Sequence, residues 1–109
     1  MIVTTTFAID GYRVREYRGI VRGIIVRSPT IGQGIMGGLK GIVGGQISEY
    51  AEMCEQTRRE AYDELVRHAQ AMGANAVLGF RYDATEVVSQ QSATEVLCYG
   101  TAVIVEPSA

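Results

Sequence analysis

The soft metal ligands in this chain are one histidine, His68, and two cysteines, Cys54 and Cys98. A transition-metal site wants three or four ligands of matched softness in fixed geometry. The two cysteines lie far apart and form no C-x-x-C pair. Cys54 falls on the apolar stripe of a helical pattern. His68 lies at that stripe's edge, with Glu64 four residues before it. Cys98 alternates with Gly100 and Ala102 along a strand-like run. No compact ligand set forms within one chain, so both cysteines read as reduced core thiols. A metal site built from Cys54, His68 and Cys98 would need several subunits converging on an axis.

Acid–base chemistry has one candidate pair. Asp83 ends one strand-like run and Glu95 begins the next, so a hairpin would bring them together, with Arg81 on the face of Asp83. Paired carboxylates near an arginine can serve hydrolysis or proton transfer. Exposed ion pairs at the end of a sheet give the same pattern. A single histidine supports no Ser/His/Asp set.

Residues 32 to 45, GQGIMGGLKGIVGG, hold seven of the thirteen glycines. Gly32, Gly34 and Gly37 spell G-x-G-x-x-G. A dinucleotide fingerprint needs that turn to open a helix directly, with an acid at the next strand's end. Here the next helical pattern starts ten residues later, at Ile47, and Glu52 lies inside it. A P-loop fails too, because Lys40 is followed by Gly41 and Ile42. Glycines also permit close backbone approach, and Ile35, Met36, Leu39, Ile42 and Val43 supply apolar contact. An apolar, glycine-rich segment of this kind is expected at a subunit interface, with Gly37, Gly38, Gly41, Gly44 and Gly45 providing the close approach.

The elements that must position these residues follow from periodicity. IVTTTF and YRVREYRGIVRGIIVR read as strands, separated by an Asp10-Gly11 turn. In the second, Arg18, Ile20, Arg22, Ile24 and Val26 share a face that is neither clean core nor clean surface. Residues 48–72 read as one long helix, with Ile47, Ala51, Cys54, Ala61, Leu65 and Met72 at helical spacing. Ser48 is a fitting N-cap, Glu49 and Glu52 suit the first turn, and Gly73 suits the position past the end. NAVLGFRYD and TEVLCYGTAVIV read as strands. In the first, Ala76, Leu78, Phe80 and Tyr82 alternate against Val77, Gly79, Arg81 and Asp83. TEVVSQQSA between them reads as a loop. The order predicts an α+β domain spanning residues 1–109, with one long helix packed on a small antiparallel sheet. One helix covers one sheet face, so the other face is expected to meet another subunit.

Charge is divided along the chain. Residues 1–47 carry six basic and two acidic residues, and residues 48–109 carry four basic and ten acidic residues. Such a chain can self-associate, basic surface to acidic surface. The sequence pI of about 5.3 and the lack of a nucleic-acid motif argue against a nucleic-acid partner. No run reaches the length of a membrane span, and MIVTTTF lacks the basic-then-apolar pattern of a secretory leader. A soluble cytoplasmic protein is expected.

GIVGGQISEY, GANAVLGFRYD and YGTAV together resemble the YbjQ-like family. This is a group of small uncharacterised bacterial and archaeal proteins, some of them labelled heavy-metal-binding. The resemblance runs from IVTTT to GTAVIV. It implies a dodecin-like subunit assembled into a ring, a pentamer, and carries no proven activity. The shared pattern falls on Arg27, Gly44, Gly45, Tyr50, Gly73, Ala74, Ala76, Gly79, Asp83, Gly100 and Thr101, and Arg27 joins the glycine-rich stretch as an expected interface residue. A five-fold ring suits a hydrated or loosely held ion better than tetrahedral zinc. The expected function is a non-enzymatic homo-oligomer that binds a small ligand or ion. A heavy-metal binder is the alternative, and an acid–base enzyme using Asp83 and Glu95 is the second. No cofactor is indicated.

Overall fold

The computed structural model describes the backbone of residues 1–27, 47–88 and 92–109, and the side chains of residues 1–27, 51–86 and 93–109. Strand β1 (Ile2–Val3), strand β2 (Tyr12–Arg27), helix α1 (Ile47–Ala71), strand β3 (Ala76–Val88) and strand β4 (Ser92–Pro107) follow in the expected order. The strands form a four-stranded sheet in the order β1-β3-β4-β2. β4 is antiparallel to both neighbours, but β1 runs parallel to β3. The sheet is therefore mixed, not purely antiparallel. The Asp10-Gly11 turn is present, with Gly11 at φ +81°. It delivers the chain to the opposite edge of the sheet, which leaves β1 to pair with the later strand β3.

One face of the sheet is covered by α1. Thr57, Ala61, Leu65 and Ala69 recur every fourth residue and are buried, as an amphipathic helix requires. They pack over Val21, Val77, Phe80, Val96, Cys98 and Ala102. The contact is close because small residues meet. A Cβ on Gly23 would stand 1.8 Å from the Ala61 carbonyl oxygen. The helix ends as expected at Gly73, which takes φ +77°. Gly73 N–H donates to the Gln70 carbonyl (2.9 Å), and Ala74 N–H donates to the Ala69 carbonyl (3.0 Å). This pair of bonds is a Schellman motif and satisfies two carbonyls the helix would leave open. A smaller apolar cluster of Ala76, Leu78, Val103 and Val105 lies elsewhere on the sheet, under Ile9 and Val14.

Three local expectations are corrected. First, the alternation in β3 breaks at Gly79. The register with β4 shifts between Leu78 and Arg81, and Gly79 takes φ +64°. This is a bulge opened by a glycine in the left-handed region. It turns Phe80 and Tyr82 to the helix side with Val77, so they do not share a face with Ala76 and Leu78. Second, most of TEVVSQQSA is strand: β3 runs to Val88 and β4 starts at Ser92. The β-branched residues Thr85, Val87 and Val88 extend the ladder. Third, Cys54 is exposed, although helical phase aligns it with Leu65. Arg27, the last residue of β2, reaches Thr57 and Glu60. Cys54 lies about one helical turn beyond that level, past the end of the strand that buries the stripe.

Candidate groove between helix α1 and the edge of β2

Among the described residues, β2 is an edge strand, paired with β4 along one side only. Its outer side would present unpaired N–H groups. Helix α1 satisfies two of them with side chains one turn apart. Arg22 N–H donates to His68 Nδ1 (3.3 Å), and Ile24 N–H donates to Glu64 Oε1 (3.2 Å). Further along, the Arg27 guanidinium pairs with Glu60, and its Nε donates to Thr57 Oγ1 (3.3 Å). Thr57 Oγ1 donates in turn to the Met53 carbonyl (3.0 Å). Residues 57, 60, 64 and 68 thus form one row of the helix, because positions three and four apart share a side.

Above these bonds runs a groove of about 570 Å³ lined by Arg22, Ile24, Glu64, Arg67 and His68. A second recess of about 420 Å³, lined by Ile25, Arg27, Glu60, Asp63 and Arg67, continues it. Salt bridges among the described residues join Arg13 to Glu106, Arg18 to Glu16 and Arg27 to Glu60. Arg22 and Arg67 have no carboxylate partner among the described residues. The His68 Nδ1 accepts a hydrogen bond, so the neutral ring carries its proton on Nε2.

Of the expected metal ligands, His68 lies in this groove beside Glu64. Cys54 is at the surface, and Cys98 is fully buried in the core. Burial pushes the Cys98 thiol up, against an opposing backbone hydrogen bond at Gly23. Among the described residues no three His, Cys, Asp or Glu side chains are placed to hold one metal ion.

Asp83 stands opposite Leu97, and Glu95 opposite Thr85. The two carboxylates are therefore diagonal neighbours on the sheet face away from α1. Asp83 Oδ1 accepts from the Ala84 amide (2.9 Å). Arg81, on the same face, is drawn to the N-terminal segment. It donates to the Thr5 carbonyl (2.9 Å) and lies over the Phe7 ring.

Of the expected interface residues, Arg27 is described and is held within its own chain. Ile35, Met36, Gly37, Gly38, Leu39, Gly41, Ile42, Gly44 and Gly45 lie outside the described residues, as do Lys40 and the side chain of Ser48. The sheet face away from α1 exposes large apolar side chains: Tyr17 at 71%, Ile20 at 75% and Val26 at 51%. Tyr99 is also exposed there, opposite Arg22.

Sequence reasoning did not single out Arg22 and Arg67 as a pair. The spacing Glu64-x-x-Arg67-His68 was the available signal, but which strand edge it would meet depends on topology. It also did not foresee the aromatic column of Tyr62, Phe80 and Tyr82. These rings meet edge to face, with centroids 5.6 and 4.9 Å apart. Tyr62 and Tyr82 border a recess of about 500 Å³ that also includes Glu55, Arg58, Arg59 and Asp63. Burial raises the Tyr82 phenol above 10.0.

Among the described residues, one helix on a four-stranded mixed sheet, with an edge groove lined by arginines and a histidine, places the chain in the α+β class. It belongs to the YbjQ family of UPF0145 proteins. The family model, described as "Putative heavy-metal-binding", matches residues 1–106. A UPF0145 protein of Legionella pneumophila is 56% identical over 105 residues, covering 96% of this chain and 98% of its own. A UPF0145 protein of Chromobacterium violaceum is 54% identical over 108 residues, covering 99% and 91%. The crystal structure of a protein of unknown function from the DUF74 family of Pediococcus pentosaceus matches the fold with a TM-score of 0.64 and 18% identity. It covers 97% of this chain and 98% of that one. No described helix is long and apolar enough to cross a membrane.

Proposed function

We propose that this protein is a homo-oligomer, assembled as a ring of dodecin-like subunits, that binds a small ligand or ion without catalysing a reaction. A pentameric ring working in the cytoplasm is part of the same proposal. The observation that carries it is the sheet face opposite α1. Tyr17, Ile20 and Val26 are exposed there on one long strand, and large apolar side chains left in solvent on a small domain favour an interface. The division of charge along the sequence also favours association of like copies. Sedimentation at low micromolar concentration tests the assembly, and a stable folded monomer would sink it.

Heavy-metal binding is the second reading. It is favoured by His68 and Glu64 sharing one groove and by the description of the family. A second copy would have to complete the ligand set. Titration with zinc and with copper tests it, and heats equal to dilution for both would remove it.

A further inference from the structure

We propose that successive copies of this chain join edge to edge, the outer side of β3 from Tyr82 to Glu86 in one copy adding to the outer side of β2 from Arg13 to Ile20 in the next. This deepens the assembly reading above and rests on it. Each edge of the sheet is closed over part of its length. On β2, side chains of α1 take the Arg22 and Ile24 amides. On β3, β1 pairs with Ala76 and Val77, and the Thr6 and Thr4 carbonyls accept from the Gly79 and Phe80 amides. Beyond Phe80 no described strand lies on the outer side of β3. The ladder shows which of its amides face outward. Arg22 and Ile24 turn their N–H groups away from β4, so Tyr99, opposite Arg22, turns its backbone to β3, and Arg81, opposite Tyr99, turns its own to β4. By alternation Tyr82, Ala84 and Glu86 point their N–H groups outward. Ala84 N–H is met there by the Asp83 carboxylate, in the place a strand carbonyl would take.

Charge selects the β2 edge of a second copy as the occupant. Residues 82–86 carry two acids, Asp83 and Glu86, and no base, whereas residues 13–20 carry three arginines and one acid. Arg13 and Arg18 hold Glu106 and Glu16 within the chain. Arg15 and Glu86 are exposed and have no oppositely charged partner among the described residues. Opposite charges facing each other across strands stabilise a pair and like charges destabilise it, so β3 meeting β3 is disfavoured. β2 and the far part of β3 lie on opposite edges of one sheet. A contact between them is head-to-tail, the type that closes into a ring when the rotation permits.

The test is sedimentation of the full chain over a concentration series at low salt. Ala84→Pro removes one outward N–H, and proline is tolerated on an edge strand where that N–H leaves the sheet. It should raise the concentration of half-dissociation by about tenfold, the scale of one strand hydrogen bond, and leave the helical signal of the chain intact. Arg15→Glu and Glu86→Arg should each raise it by about threefold, the scale of a cross-strand charge pair. Glu86→Arg should do so although it brings the net charge of the molecule closer to zero. The double variant, Arg15→Glu with Glu86→Arg, exchanges the two signs and should return to the parent value. The charge variants decide the question even where Ala84→Pro fails to fold. An assembled parent that neither charge variant weakens overturns edge pairing and leaves assembly through the sheet face standing. So does a double variant weaker than either single one, or a folded Ala84→Pro that assembles like the parent. A monomeric parent sinks the assembly reading itself, and this inference with it.

Discussion

Cys98 shows how far a residue's surroundings decide its chemistry. It lies at zero exposure beneath the helix, and burial raises its thiol from 9.0. The folded state then keeps this proton at pH values where the unfolded chain has released it. The associated stability is intact below the unfolded thiol's range and is lost as pH rises through it toward the folded value. Melting temperature measured between neutral pH and about pH 10 should fall with pH above the unfolded thiol's ~8.5. The Cys98→Ala variant should show a shallower fall over the same range, whatever its absolute stability, and identical slopes would refute this. A thiol reagent should titrate Cys54 in the native protein and Cys98 only on unfolding. Two thiols reacting together in the native state would contradict the buried position. The residue types alone put both cysteines in the core. The sequence could not show that the stripe outruns the strand, because Arg27 is fixed at the level of Thr57 only by the fold.

Among the elements, strand and helix identities were legible and their faces less so. β2 matches the expected run from Tyr12 to Arg27, since a long β-branched and aromatic segment has few alternatives. The helix ends where Gly73 permits the left-handed turn. The phase of β3 was misjudged at Gly79, although an isolated glycine inside a strand pattern is the sequence signal of a bulge. Gly79→Ala should cost about 1–2 kcal/mol, the penalty of a left-handed L residue, plus displacement of the Phe7 ring that lies 2.8 Å from the would-be Cβ. Gly23→Ala should cost more, about 3 kcal/mol or beyond, because rigid helix backbone blocks the new methyl. Leu65→Ala should cost about 2–5 kcal/mol as a cavity in the same layer. Urea unfolding ranks the three, and a Gly23→Ala variant as stable as the parent would mean the helix does not sit against β2. The groove itself was not legible, because Arg22 and Arg67 are 45 positions apart and nothing local announces that both border one groove.

At the scale of the molecule, the sheet has two unlike sides. The helix side is dry, while the opposite side displays Tyr17, Ile20 and Val26. Ile20→Asp should dissociate the proposed ring without loss of helical signal, because Ile20 is 75% exposed and contributes little to the fold of one chain. Sedimentation and circular dichroism on one sample check both halves of that expectation, and an unchanged sedimentation coefficient would move the interface elsewhere. The strand order has a separate consequence for how the molecule comes into being. β4, translated after the other described strands, lies between β3 and β2. Until it emerges, β2 has no neighbour among the described strands and β3 has only the short β1. The nascent chain therefore cannot assemble its sheet stepwise as translation proceeds. Folding waits for Ser92–Pro107 to leave the exit tunnel, and a stop codon before Ser92 yields a polypeptide with its two longest earlier strands unjoined, a substrate for chaperones and proteases.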